Sequence, residues 1–229
     1  MIDFHSHILP CIDDGSKSVY ESIVLLEMLK NQGVTKVVAT PHYYANQNSV
    51  AEFLIKRNSS YEGLRAEMTD DLPQIILGAE VKYYEGISRF DKLCDLCIGN
   101  SNLILLEMSM KRWTEYTLRE LLELNSYGSF KIVLAHIERY LKLQPKFLIE
   151  KLSDSGILMQ SNADFFLNIH SRHKAIKMLR NGQIHFIGSD CHGVDYRPPK
   201  IGDAYSLICR RFGDKFVDNM NSAINSYQI

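Results

Sequence analysis

The chain has 229 residues, 45% of them hydrophobic and 23% charged, with a formal net charge of −1. That length can bury one large core, the composition is ordinary for a soluble globular protein, and the near-zero charge gives no ground for a nucleic-acid or membrane partner. No apolar run approaches the roughly 20 residues that cross a bilayer. The N-terminus also lacks the basic-then-apolar order of a cleaved signal peptide. Five cysteines, an odd number without dense spacing, point to reduced thiols and a cytoplasmic location. Cys94 and Cys97 form a lone C-x-x-C in a helix-like stretch and read as structural.

Short apolar runs alternate with helical patterns along the whole chain. Residues 2–4 form the first strand. Ser18 and Glu21 have the spacing of a capping box, and Val19, Ile23, Leu26 and Leu29 then recur at helical intervals as far as Gly33. A buried strand over 35–39 leads to Thr40-Pro41-His42. A helix follows over about 49–68, then a strand over 74–77 that ends in Gly78-Ala79-Glu80. The next strand, 103–106, ends at Glu107. A helix over 114–125 precedes a strand over 131–134 and Ala135-His136. Pro145 is placed to open a helix and Gly156 to close it. Residues 157–160 form a sixth strand before Ser161-Asn162, and the stretch from Asn168 to about Asn181 is helical. A seventh strand over 184–187 ends in Gly188-Ser189-Asp190-Cys191-His192, and two further helices fill the C-terminus.

Seven apolar strands separated by helices are the mark of a parallel sheet covered on its outer face. The informative feature is where the polar residues fall. His5 and His7, His42, Glu80, Glu107, His136, Asn162, and Asp190 with His192 each follow the end of a different strand. In an α/β barrel those ends converge on one face, where active sites are built. His5 and His7, two apart on a strand, point to the same side. Asp13 and Asp14 add carboxylates before a glycine turn. Imidazole and carboxylate at this density suit manganese, iron or zinc.

Together, His5-Ser-His7, Thr40-Pro-His42, Gly78-Ala-Glu80, Ala135-His136 and Gly188-Ser-Asp-Cys-His192 resemble the polymerase-and-histidinol-phosphatase (PHP) superfamily. Within it, the opening His-Ser-His-Ile-Leu-Pro-x-Ile-Asp-Asp-Gly and the later His136-Ile-Glu-Arg-Tyr140 resemble bacterial manganese-dependent protein tyrosine phosphatases of capsule and exopolysaccharide operons. Cys11 stands where such proteins usually have glycine, and Ile137 where they usually have proline. The resemblance implies one domain over residues 1–229, a distorted seven-stranded α/β barrel of the (β/α)7 TIM-like kind, holding three divalent ions. His5, His7, Glu80 and Asp190 would hold one ion. Glu80 would bridge to a second, completed by Glu107 and His136, and Asp14, His42 and His192 would hold the third. Manganese is the expected metal, with iron or zinc as alternatives. Asp13 is the neighbour most readily confused with Asp14.

Arg139, three residues past a proposed ligand, can fork onto two phosphate oxygens, and Arg197 is a second candidate clamp. Asn162 could orient a ligand or touch substrate. His170, His173 and His185 have no partner motif and are read as lying outside the site. Cys191 and Arg197 happen to satisfy the C-x5-R spacing of cysteine-dependent phosphatases. That mechanism is disfavoured, because Asp195 would put a negative charge in the phosphate cradle and Pro198-Pro199 lack N–H groups. The implied activity is hydrolysis of phosphotyrosine, by resemblance on the tail of a tyrosine autokinase controlling polysaccharide synthesis. A small-molecule phosphatase of the histidinol-phosphate kind and an inactive metal-binding, kinase-docking module are the alternatives. The sequence leaves the oligomeric state open.

Overall fold

The computed structural model describes residues 1–89, 92–127 and 130–229. Its elements run β1 (Ile2–Ser6), α1 (Val19–Asn31), β2 (Lys36–Ala39), β3 (His42–Tyr43), α2 (Val50–Arg65), β4 (Gln74–Leu77), β5 (Glu80–Lys82), β6 (Leu103–Glu107), α3 (Glu115–Tyr127), β7 (Lys131–Leu134) and α4 (Lys146–Asp154). Then follow β8 (Leu158–Asn162), α5 (Ala163–Leu167), α6 (Arg172–Arg180), β9 (Phe186–Gly188), α7 (Ile201–Phe212) and α8 (Asp214–Asn225). The strands pair in the orders β1-β2-β4 and β3-β5-β6-β7-β8-β9, every ladder parallel. The result is an α/β fold with a curled parallel sheet. The curl brings its two ends together: Ser6 bridges Cys191, Asp190 N–H donates to the His5 carbonyl at 2.8 Å, and His7 N–H donates to the Cys191 carbonyl at 3.0 Å.

The strands expected over 35–39 and 74–77 are present as β2 and β4, and beyond each the chain resumes in a further short strand, β3 and β5, that the sequence reading did not have. β2 and β3 flank Thr40-Pro41, where proline has no N–H for the ladder. β4 and β5 flank Gly78-Ala79. The ladder restarts with His42 paired in register against Glu80, so two polar side chains meet at the sheet's C-terminal edge.

Alternate strand residues face opposite sides of the sheet. Phe4, Val38, Leu105, Val133 and Phe186 pack on one side, where Phe4 and Phe186 stack with ring centroids 3.9 Å apart. Ile224 and Ile229 join that cluster from the chain's end, and Lys36 Nζ holds the Ile229 carbonyl at 2.6 Å. Val37, Ile75, Ile104, Leu134 and Ile187 belong to the larger cluster beneath the helices. The concave side is thus apolar at one end, which leaves the C-terminal end for polar groups.

Two helix expectations also change. The capping box is complete in α2, where Ser49 and Glu52 bond reciprocally. At α1 only half forms: Ser18 accepts from Glu21 N–H, while the Glu21 carboxylate takes the N–H groups of Lys17 and Val194, fastening this helix start to the loop after β9. The helix expected from Asn168 to about Asn181 is α6, which starts at Arg172, and a short α5 that the sequence reading lacked precedes it; the Arg172 guanidinium donates to the Phe166 and Leu167 carbonyls at the end of α5. Cys11 adopts φ 58°, a left-handed conformation that explains why glycine suits this position. Among the described residues no helix is long and apolar enough to cross a membrane.

Candidate metal centre

The strand ends bring all nine proposed metal-binding side chains into one cluster. His5 Nε2 and His7 Nε2 lie 3.2 Å apart. Both are 3.3 Å from Glu80 Oε2, and they are 3.6 and 3.5 Å from Asp190 Oδ1. Four donors around one ion with bonds of about 2.1 Å would be about 3.4 Å from one another. The observed spacings match that shape, and two ring nitrogens facing each other without a cation between them are poorly satisfied. Glu80 Oε1 reaches His136 Nε2 at 2.8 Å, and Glu107 Oε1 lies 3.9 Å from the same nitrogen. Asp14 Oδ1 stands 3.5 Å from both His42 Nε2 and His192 Nε2. His42 Nδ1 approaches Glu80 Oε2 at 3.1 Å yet is buried without a hydrogen bond, another nitrogen better matched to a cation than to its neighbours.

Ligand-competent sets are His7 with Asp14, His42 and His192; His5 with His7 and Asp190; and His42 with Glu80 and Glu107. Both His7 and His42 therefore belong to two sets, where the resemblance gave each to one. The donor chemistry fits divalent transition metals throughout.

Outer partners fix which ring nitrogen points inward. His5 Nδ1 meets Gln160 Oε1 at 3.2 Å, His7 Nδ1 meets Asp13 Oδ2 at 2.7 Å, His136 Nδ1 meets the Tyr140 hydroxyl at 3.3 Å, and His192 Nδ1 donates to the Asp190 carbonyl at 2.9 Å. Each leaves Nε2 facing the cluster. Asp13 and Asp14 are separated by this geometry. The Asp13 side chain is 5% exposed, and it also accepts the N–H groups of Gly15 and His42. That of Asp14 is 65% exposed and aims at the two imidazoles. Gly15 and Gly188 must be glycine here, since a Cβ would sit 2.5 Å from His7 Cβ and from His5 Cβ respectively.

Burial works against charge at His5, but Glu80 and Asp190 outweigh it and the net shift is upward. Burial, with His7 and Arg197 adding to it, pushes His192 down to about 4, so its imidazole is neutral, and its Nε2 accepts from Arg197 Nη1 at 3.1 Å, a bond that a metal on this nitrogen would replace. The Asp13 carboxylate is held well below its usual range: burial opposes this, but the bond to His7 prevails.

The two arginines converge on one atom. Asp190 Oδ2 takes Arg139 at 2.5 Å, a close contact from Arg197, and Asn162 Nδ2 at 2.7 Å. His136, Asp190 and Arg197 all have positive φ, at 35°, 52° and 56°, strain of the kind concentrated at functional sites. Cys191 is fully buried, and burial, with Asp3 next, pushes its thiol up to about 12. A thiol held neutral in this way is no nucleophile.

The profile of the family described as "Capsular polysaccharide synthesis, CpsB/CapC" matches residues 1–229. The chain belongs to the CpsB/CapC family. This CpsB/CapC chain is 32% identical to the tyrosine-protein phosphatase CpsB of Streptococcus agalactiae serotype III over 244 residues, spanning all of both chains. Its fold is shared with a crystal structure from work on Bacillus subtilis YwqE and Streptococcus pneumoniae CpsB, metal-dependent tyrosine phosphatases. The TM-score is 0.83 at 23% identity, covering 98% of this chain and 93% of that one. Histidinol phosphate phosphatase of Lactococcus lactis, bound to zinc, L-histidinol and phosphate, has the same fold at a TM-score of 0.55 and 16% identity, covering 92% and 93%.

Several residues of this CpsB/CapC site escaped the sequence reading. Gln160 bridges His5 Nδ1 and the His136 N–H, the latter at 2.7 Å. Asp3 Oδ1 accepts from Ser189 N–H at 2.8 Å and His5 N–H at 3.3 Å, tying the first and last ligand loops together. Lys82 Nζ pairs with Glu107 Oε2 at 2.9 Å. Polar residues inside otherwise apolar strands were the available signal for Asp3 and Gln160. His185 accepts from the Met159 N–H, away from the cluster.

Proposed function

We propose that the protein is a metal-dependent protein tyrosine phosphatase. The observation that carries this reading is the convergence of imidazoles and carboxylates at metal-ligand spacing beside two arginines that reach a single anionic oxygen. His5, His7, Glu80 and Asp190 would hold one ion, Glu80, Glu107 and His136 a second, and Asp14, His42 and His192 a third, with manganese first and iron or zinc as alternatives. Bound there, divalent ions supply a water that ionises near neutral pH and positive charge for phosphate oxygens. We infer that the curled sheet is a closed, distorted seven-stranded barrel, a reading supported by the bonds between β9 and β1, and that residues 1–229 form one domain.

Arg139 and Arg197 would exchange the Asp190 oxygen for two oxygens of an incoming phosphate, a planar fork well matched to that geometry. Asn162 would keep Asp190 in place as they leave. Tyr44 is half-buried two residues beyond His42, its ring centroid 5.3 Å from that imidazole, and offers a flat face to a phenyl ring. The leaving phenol has a pKa near 10, so it departs with less help from an acid than an alkyl alcohol needs. The expected partner is a phosphotyrosine protein, by family the tail of a tyrosine autokinase in the cytoplasm, with no nucleic acid involved.

The fold shared with histidinol phosphate phosphatase motivates a second reading, a small-molecule phosphatase. Turnover of a phosphotyrosine peptide and of histidinol phosphate by the manganese-loaded protein separates them. The peptide is expected to have the higher kcat/KM by about 10²-fold or more, a difference of about 3 kcal/mol. A preference for histidinol phosphate overturns the tyrosine assignment. Bound metal without turnover of any monoester favours a docking module.

A further inference from the structure

A groove of about 630 Å3 lies between α3 and α4, outside the metal cluster. Its apolar wall is formed by Trp113, Leu118, Leu122, Leu148 and Phe147, the last 67% exposed. Trp113 and Leu148 are buried beneath it and Leu118 and Leu122 half-buried, so Phe147 is the apolar side chain that the groove exposes. Arg112, Arg119 and Lys151 line the same groove against one carboxylate, Glu115. Among the described residues these three cations have no hydrogen bond or ion pair. What sets them apart is their grouping: three unpaired cations face a single carboxylate around one groove. The groove therefore presents an uncompensated positive rim around an apolar floor, which complements an acidic segment bearing an apolar residue.

Position ties the groove to the chemistry. The first turns of α3 and α4 follow the loops that leave β6 and β7, the strands ending at Glu107 and just before His136. Trp113 packs on Tyr140 with ring centroids 5.2 Å apart, and Tyr140 lies 5.8 Å from the His136 ring. The groove floor is thus within about 11 Å of a proposed metal ligand, a span that an extended chain covers in about four residues.

We propose that this groove docks an acidic stretch of the phosphoprotein substrate, about four to six residues from the phosphotyrosine, with an apolar side chain seated beside Phe147 and Trp113. This rests on the phosphatase reading and names the class of sequence that its site accepts.

The test compares p-nitrophenyl phosphate with two phosphotyrosine peptides, one with acidic residues and a leucine at that spacing and one with lysines in place of the acids. The acidic peptide is expected to have the lower KM. Arg119→Glu combined with Lys151→Glu is expected to raise its KM about tenfold, leaving kcat and all p-nitrophenyl phosphate kinetics unchanged. Equal KM values for the two peptides, or a double variant indistinguishable from the parent, overturn the proposal. Trp113 is the single tryptophan, so its emission reports docking without turnover. A saturable change with the unphosphorylated acidic peptide, lost in the double variant, supports docking even if no monoester is hydrolysed. No change on peptide addition, or one that instead follows protein concentration as in self-association, overturns it.

Discussion

Glu80→Gln is expected to lower kcat/KM for an aryl phosphate by at least about 10³-fold, close to 4 kcal/mol of lost transition-state stabilisation. Glu80 is central to the cluster: its two oxygens lie within 3.3 Å of ring nitrogens on His5, His7, His42 and His136. Burial disfavours its charge, yet His5 and the bonds from His136 and His5 hold the carboxyl well below its usual range. Glutamine keeps the volume but replaces an anionic bridge with a neutral amide that offers one acceptor and aims N–H donors at neighbouring ring nitrogens. Steady-state kinetics with metal content measured on the same sample checks this. Activity within about tenfold of the parent, with metal retained, would remove Glu80 from the centre of the mechanism.

Removing the arginines should produce the next largest loss. Arg139→Ala and Arg197→Ala are each expected to lower kcat/KM by about 10²-fold, near 3 kcal/mol, for loss of a charge-assisted fork in a partly buried site. Their side chains are 34% and 31% exposed, so neither is fully sheltered from water. Both contact Asp190 Oδ2, which makes the two losses coupled rather than additive. Lysine at either position should recover little, because an ammonium cannot span two oxygens as a guanidinium does. Metal content should be unchanged in the alanine variants. Unaltered kinetics in the double variant would mean that phosphate is gripped elsewhere.

Much of the site was legible because strand geometry is strict. Side chains two apart on a strand share a side, and His5 and His7 accordingly meet at 3.2 Å. Residues at or just past the ends of parallel strands share an edge: Glu107 ends β6, and His42, Glu80, His136 and Asp190 follow the ends of β2, β4, β7 and β9 within three residues. What the sequence withheld was partnership. Spacing cannot distinguish adjacent turn carboxylates such as Asp13 and Asp14; only the fold makes one the partner of His7 and leaves the other 65% exposed. Gln160 looked like an ordinary strand residue, since its bonds to His5 and His136 join elements 155 and 24 residues apart. Glu21 could have closed the capping box on Ser18 and takes instead the N–H groups of Lys17 and of Val194, the latter 173 residues away. The strand ends at Ala39 and Leu77 were legible, but β3 and β5 beyond them were not, because strands of two and three residues are too short to carry a periodic signal.

Elemental analysis of the purified protein, after supply of manganese, iron and zinc and removal of loosely bound ions, tests the central claim most directly. About three equivalents of divalent metal per chain are expected, falling when Glu80 is replaced by glutamine. A chain that retains none of the three metals would contradict the assignment of its histidines and carboxylates as a metal centre.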